Sequence, residues 1–491
     1  MGVAATCAAA TGESIGLAAK VEKFALPNGL RFVVVERRHV PQVSFHLLVG
    51  SGWADDPPGQ AGLSRLVARM YGKGTPDLGS RNAALEQKAL AEVEAAYGRL
   101  EQPGPESLQP LGERERRRVA LKVAMDRAAG LNLRNWFQAV LLFNGASDLN
   151  IGVDADTSHV AYSLPSGRAE VFFVLTSEWL RNAAFRDFYQ ERDALEDALS
   201  TELQTSAEAR LLRALLEKSF VSHPYRLLVP SEKELTALRT AAGQAFFRAH
   251  YVPANMVIAA VGDMAAPDVR RLAERYFGTI PAAAKPVTVA KEESPPKEAL
   301  RAGVPYQDQP LLQMGWRRPS HGDDDEAAFE LLASVFANEP GGWLRDKLVD
   351  ERKMARRIAV RPSYPGGRYP CLFAVMVEPA PGRSLTQVEA SLRQALGQLS
   401  AAPLPAAIID SAKARLLANF YSLLELNAPL AARLAEATLQ GGAARFFELL
   451  GRIENLTPEE VHRVSRHYLT AENSVTVWLS TTGVAEEGTK R

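Results

Sequence analysis

One stretch near the end of the chain repeats another from its middle, and this recurrence limits the fold more than any other feature. The segment "FRAHYVPANMVIAAVG" at 247–262 is mirrored by "RVSRHYLTAENSVTVWLS" at 463–480. Each carries His-Tyr, a short loop with an Asn, and then an apolar strand. His250-Tyr251…Asn255 corresponds to His467-Tyr468…Asn473, with one extra residue in the second copy. Matching at so large a period points to two homologous halves and not to a short-repeat solenoid. One half covers about 20–280 and the other about 301–485, joined by a linker over 281–300 whose Pro, Lys and Glu content suits a spacer. Residues 1–19 and 486–491 read as tails.

A length of 491 residues, long for one hydrophobic core, agrees with such a division. Lys plus Arg and Asp plus Glu are equal at 57 each, so net charge gives no argument for nucleic acid or an anionic membrane. Cys7 and Cys371 make neither a disulfide framework nor a metal cluster. No apolar run approaches the roughly 20 residues of a membrane span. The opening residues lack the basic and apolar regions of a secretory signal. Either the protein stays inside the cell, or its start is trimmed or misassigned, and the compartment stays unknown.

The ordered part begins with strand-like runs around an Asn28-Gly29 turn. A helix follows in "GQAGLSRLVARMYGKGT", where Leu63, Leu66, Val67, Met70 and Tyr71 form one buried stripe. Arg65, Ala68 and Arg69 share the other face. Residues 82–100 and 113–130 are helical patterns around a Pro/Gly connector, so an inserted helical hairpin is expected at about 82–130. Its basic run, Arg114 to Arg118, reads as a solvated helix face or, more sharply, as a docking surface. Strands return at "SDLNIGVDADTSHVAYSLP", and one long helical stretch is expected from about 168 to 219. Beyond the linker come the strands "QPLLQMGWRRP", "RRIAVRPSYP" and "CLFAVMVEP", the helix "EAAFELLASVFA", and helices to about 450.

The run "LPNGLRFVVVERRHVPQVSFHLLVGSGWADDPPGQAGLSRLVARMYGKGT" resembles the opening of the M16 peptidases, the group of insulinase, pitrilysin and mitochondrial processing peptidase. "LNIGVDADTSHVAYSLP", "FYQERDALEDAL", "SHPYRLLVPSEKELTAL", "FFRAHYVPANMVIAAVGD" and "LRDKLVDERKMA" continue the resemblance in the right order over nearly the whole chain. It implies an α+β fold in which two α/β halves form a clam-shell around a peptide chamber.

Active members of that family carry H-x-x-E-H on the first helix, two histidines for zinc and a glutamate as base, with a distal glutamate completing the zinc shell. Carried over residue by residue, the histidines fall on Arg65 and Arg69, the base on Ala68, and the distal glutamate on Ala198, with Asp197 beside it if the register slips by one. A guanidinium has five donors, no acceptor and does not deprotonate, and a methyl group cannot take a proton. No bound metal is therefore expected. Among His39, His46, His159, His223, His250, His321, His462 and His467 no pair is spaced three or four apart on a helix. His223 and His250 read as structural. The family's Arg and Tyr, seven apart in the second half, fall on Val349 and Arg356; Arg357 and Tyr364 have the spacing one residue later. Gly341 and Gly342, in "NEPGGWL", are either peptide-contacting glycines or a tight turn before a helix.

The resemblance and its missing ligands imply a non-catalytic homologue, paired with an H-x-x-E-H-bearing subunit or with itself, that contributes chamber wall and peptide contacts. An active zinc endopeptidase with unfamiliar ligands is the alternative, and a stand-alone peptide-binding protein a third. By the same resemblance a periplasmic location is the family expectation, since bacterial members of this size are often periplasmic. Arg65 and Arg69 should occupy the former metal pocket, answered by Asp197, Glu196 or Glu191, because an unpaired charge in a partly closed cleft is costly.

Overall fold

A computed structural model describes residues 19–101, 111–287, 293–296, 298–306 and 310–480. Residues 1–18 and 486–491 of the expected tails, with Cys7, lie outside the described residues, as does the connector at 102–110. Two mixed sheets organise the chain. The first contains β1 (Glu22–Ala25), β2 (Arg31–Glu36), β3 (Gln42–Val49), β4 (Ser147–Val153), β5 (Ser158–Pro165) and β6 (Met256–Gly262), in the order β1-β2-β6-β3-β5-β4. The second contains β7 (Leu300–Pro305), β8 (Leu312–Arg318), β9 (Ala355–Tyr364), β10 (Cys371–Pro379) and β11 (Ser474–Ser480), in the order β7-β11-β8-β10-β9.

The second sheet repeats the first without β1. β2 runs parallel to β6, and β7 runs parallel to β11; every other neighbouring pair within the repeat is antiparallel. The repeated sequence segments give each sheet its inner strand, β6 and β11. Their asparagines act alike: Asn255 Nδ2 donates to the His250 carbonyl (3.0 Å) and Asn473 Nδ2 to the Tyr468 carbonyl (2.8 Å), each five residues upstream. Each bond ties the helix end to the strand that follows it.

The first half carries α1 (Leu63–Arg69), α2 (Ala83–Glu101), α3 (Leu111–Leu131), α4 (Trp136–Phe143), α5 (Glu170–Asn182), α6 (Phe188–Thr205), α7 (Ala207–Ser219), α8 (Glu232–Ala237), α9 (Thr240–His250) and α10 (Ala266–Phe277). The second carries α11 (Glu326–Val335), α12 (Trp343–Arg345), α13 (Leu385–Ala401), α14 (Ala406–Glu425), α15 (Asn427–Leu439), α16 (Ala444–Asn455) and α17 (Pro458–Tyr468). The stretch expected as one helix over 168–219 is instead α5, α6 and α7. It breaks where Asp187 takes a left-handed φ of 54° and where Ser206 becomes the extended cap of α7, its side chain accepting from Ala209 N. Short-range periodicity does not register such corners.

Each sheet packs one face on helices of its own half and the other on helices of the opposite half. Phe32, Val34, Phe45, Leu47 and Ile258 lie in the core of the first half. On the reverse face Val33, Val35, Leu48, Val257 and Val261 pack against Leu430, Leu434 and Ala435 of α15 and Leu417 and Leu424 of α14. Reciprocally, Leu372, Ala374, Met376, Val475 and Val477 of the second sheet pack against Leu211, Leu215 and Leu216 of α7. Two-sided burial is the reason that β6 and most of β10 read as continuous apolar runs and not as alternating ones. The halves therefore share two apolar cores. A polar seam joins them as well: Arg368, between β9 and β10, meets Asp55 in a two-pronged pair (3.1 and 2.8 Å), and the amides of Gly367 and Arg368 donate to Asp156 (2.7 and 2.9 Å).

The insertion, α2 and α3, is pinned from beneath by Arg186. Its guanidinium meets Glu86 at 2.6 and 2.8 Å and donates to the carbonyls of Lys73, Thr75 and Leu78. Both partners are almost fully buried, 1% and 3% exposed. The basic run on α3 pairs along its own helix, Arg117 with Glu113 at 3.3 Å and Arg116 with Glu113 at 4.0 Å. No helix among the described residues is long and apolar enough to cross a membrane.

Candidate functional site

The site is built on α1. Its first turn is held by Asp56, whose carboxylate accepts from Gly62 N (2.7 Å) and Ser64 N (2.8 Å), amides that the helix itself cannot satisfy. Burial pushes the Asp56 carboxyl up to about 7, against the lowering effect of those two amides. Gly62 takes φ 94°, and a Cβ there would also meet the Leu235 side chain, so glycine suits the position on both counts. The apolar stripe is buried: Leu63, Leu66, Val67 and Met70 are 0% exposed and Tyr71 2%. Ala68 is buried with them, and only Arg65 and Arg69 keep partial access to solvent.

The two arginines have different surroundings. Arg69 Nη1 lies 3.3 Å from Glu191 Oε2 of α6, and Lys73, one turn along, lies 2.8 Å from Glu191 Oε1 and 3.4 Å from Asp187. Asn132, at the end of the insertion, donates to Asp187 at 3.0 Å. Burial alone would raise the Glu191 carboxyl, but Lys73 and Arg69 outweigh it and leave it below the usual carboxylate range. A cavity of about 730 Å³ opens beside this group, walled by Trp136, Asn132 and Gln190.

Arg65 takes another route. Its Nη2 donates to the Leu228 carbonyl (2.9 Å), and among the described residues it forms no ion pair. Burial lowers its pKa, while Asp56, Glu202, Tyr364 and Asp154 face it from farther away. Of the three acids expected to answer the arginines, only Glu191 reaches one. Glu196 and Asp197 pair with neither, since five and six residues along α6 turn them well away from Glu191 at 3.6 residues per turn. Glu196 is instead raised in pKa by its partial burial and by Glu232, Asp193 and Asp197 nearby, with Arg192 acting in the other direction. Ala198 is exposed on α6.

In the second half, Val349 lies in the wide turn Asp346–Glu351, and Arg356 pairs with Glu378 across β9 and β10. Arg357 and Arg361 reach Glu208 of α7, at 3.9 and 2.6 Å. Tyr364 ends β9; burial raises its pKa, and Arg361, Arg65, Glu202 and Glu208 face it. Gly341 takes φ 83°, and Gly342 N donates to the Glu339 carbonyl (3.0 Å) directly before α12. A Cβ on Gly342 would strike the Ala337 carbonyl, so the geometry is that of a tight turn.

Sequence reasoning passed over Asp56, Lys73, Glu202, Glu208 and Arg361. Lys73 had a signal, its spacing of one turn from Arg69; the others depend on contacts between distant segments. Four of the histidines make local structural contacts. His250 Nδ1 bonds Ser51 Oγ (2.7 Å), His223 Nδ1 accepts from Tyr225 N (3.1 Å), and the rings of His46 and His159 stack at 5.4 Å. No group of three or more His, Cys, Asp or Glu among the described residues could hold a metal ion. The residues on α1 do not fit the family's zinc: two cations and a methyl group stand where donors would be needed.

Residues 242–416 match the family model described as the Peptidase M16 inactive domain. The zinc protease PqqE of Helicobacter pylori is 22% identical over 329 residues, which cover 63% of this chain and 73% of that protein. A crystal structure of a protease from Helicobacter pylori superposes with a TM-score of 0.77 at 16% identity, over 94% of this chain and 99% of the other. The M16 inactive domain from Pseudomonas fluorescens gives 0.74 at 16%, over 95% and 98%. The periplasmic protease PqqL of Escherichia coli gives 0.65 at 16%, but there 94% of this chain covers only 48% of that one. At such identities the likeness to these structures is one of fold.

Proposed function

We propose that this chain, which has the M16 peptidase fold along nearly its whole length and matches the family's inactive domain over residues 242–416, is a non-catalytic subunit that completes the peptide chamber of an active zinc M16 peptidase. The observation that carries this reading is the occupation of the first helix by Arg65, Ala68 and Arg69, with Arg69 held by Glu191 beside Lys73. A guanidinium engaged by a carboxylate has no lone pair for a metal, and no base stands on that helix to activate water. The M16 fold persists around a surface that cannot perform the family's chemistry.

Two further facts support a partner. The halves pack against each other through two apolar cores, and a second body would supply the rest of a chamber wall. PqqL is about twice as long as this chain, and this chain covers about half of it. A separate subunit with an intact H-x-x-E-H helix would supply the other half here.

Metal analysis and peptide cleavage by the purified chain, alone and mixed with an H-x-x-E-H-bearing M16 chain from the same organism, test the proposal. The expected result is zinc well below one equivalent, no cleavage by the chain alone, and co-elution with the active subunit at higher mass. One equivalent of zinc together with cleavage by the isolated chain would instead establish the zinc endopeptidase with unfamiliar ligands. The stand-alone peptide binder has its own support in β4, an edge strand whose residues Ser147–Asn150 are exposed and open to an added strand. Peptide binding by the monomer, without co-elution, would favour it.

A further inference from the structure

We propose that Arg65 is the receptor for a peptide carboxylate, either the C-terminal α-carboxylate or an Asp or Glu side chain, at the place where the fold family holds its metal. This rests on the peptide-binding part of the function proposed above and names the group that the site selects.

The argument begins with donors left over. A guanidinium has five N–H groups in a planar fork. Among the described residues Arg65 gives one bond to a protein atom, Nη2 to the Leu228 carbonyl at 2.9 Å. Two arginines that hold the fold together are answered by carboxylates: Arg186 by Glu86, and Arg368 by Asp55 and Asp156. Arg69 has Glu191. Arg65 alone of these four lacks a carboxylate partner among the described residues, although it is half-buried and burial acts against its charge. The nearest acid in sequence, Asp56, is committed to the amides of Gly62 and Ser64.

The rest of the surroundings sets the ligand's charge. Tyr364 faces Arg65 from the opposite half and brings a hydroxyl donor that is neutral over the physiological range. Glu202 and Asp154 also face Arg65, and Glu208 faces Tyr364. These acids disfavour any anion, and a dianion such as phosphate about twice as much as a single carboxylate, which is therefore the better match to one guanidinium. Charge-assisted bonds to such a fork are about twice as strong as neutral ones. Zinc in this position would engage a peptide carbonyl; Arg65 exchanges that for recognition of a carboxylate.

Calorimetric titration of the full chain with an N-acetylated decapeptide of Ala, Ser and Leu tests this. The peptide is made as the free acid and as the C-terminal amide, and the amide is also made with one central Glu or one central Gln. The unaltered chain should prefer the carboxylate member of at least one pair by about tenfold, and the pair that shows the gap identifies the source. In Arg65→Gln the gap should close, and in Arg65→Lys, which keeps the charge and loses the fork, part of it should remain. Unfolding midpoints of both variants establish that they are folded. Equal affinities within both pairs, or a gap that survives in Arg65→Gln, overturns the inference and leaves peptide binding standing. Absence of binding by every peptide removes the peptide-binding reading together with it.

Discussion

The two halves share a strand order and differ in what the equivalent helix presents. In the first half α1 follows β3 and leaves Arg65 and Arg69 in a partly open cleft, with an acid, a lysine and a cavity around them. In the second, α11 follows β8 and is enclosed: Ala328, Phe329, Leu331 and Leu332 enter its own core, and Ala327 joins the core shared with the first sheet. The buried stripe of α1 has the same structural task as these residues. A fold held by such stripes tolerates replacement of every chemically active group on the facing surface, because that surface contributes little to the packing.

The comparison can be broken most severely where the halves differ most. Only the first half has the insertion, fastened by the buried Arg186–Glu86 pair. Arg186→Ala leaves Glu86 and three carbonyls without a partner and should cost about 3–5 kcal/mol, read as a lower urea midpoint. A loss below about 1 kcal/mol would mean that the insertion is held by other contacts.

The exchanged helices give a symmetric test. Leu215 of α7 and Leu434 of α15 are both fully buried, each on the sheet of the other half. Either leucine replaced by alanine should cost about 2–5 kcal/mol while leaving one cooperative transition. Two separated transitions would show that the halves are independent and defeat the idea of a shared core.

Acid should act on the first half through His46. Its imidazole is lowered to about 3, first by burial and then by the ring of His159, which itself faces Asp154 and Glu436. A histidine depressed on folding contributes fully above its unfolded value near 6.5 and loses that contribution as pH falls toward 3. The raised carboxyl of Asp56 acts in the opposite sense, losing its contribution as pH rises through about 7. The two must therefore be separated by substitution. His46→Phe should remove about 2 kcal/mol of acid sensitivity between pH 7.5 and pH 5, measured as the difference in unfolding free energy from the unaltered chain.

The smallest effect sharpens the symmetry. Asn255→Ala and Asn473→Ala each break the bond from the helix end to the next strand, and each should cost about 1–2 kcal/mol. Unequal losses would show that the two copies have diverged in energetics despite their common geometry.

Much of this architecture was legible in the sequence. The Asn and His-Tyr repeat marked both inner strands, and the period of α1 marked its buried stripe. The residue types on α1 were legible too, with Arg65, Ala68 and Arg69 falling on one face of the helix by its period. What escaped was pairing across long separations. The phase of α6 relative to α1 decides that Glu191 and not Asp197 meets Arg69, and the seam decides that Tyr364 faces Arg65. Neither leaves a local pattern. The corner at Asp187 was missed for a related reason, since one left-handed residue ends a helix without altering the apolar spacing on either side.

The reciprocal roofing of the sheets carries a consequence for descent and for engineering. A polypeptide severed between Phe277 and Leu300 would give two fragments, each with an oily surface that only its counterpart can blot. Such pieces should be insoluble apart and should complement one another when produced together. Natural drift in α15 would be answered by drift in β3 and β6, and drift in α7 by β8 and β11, so the duplicated units have been obliged to evolve as an indivisible couple.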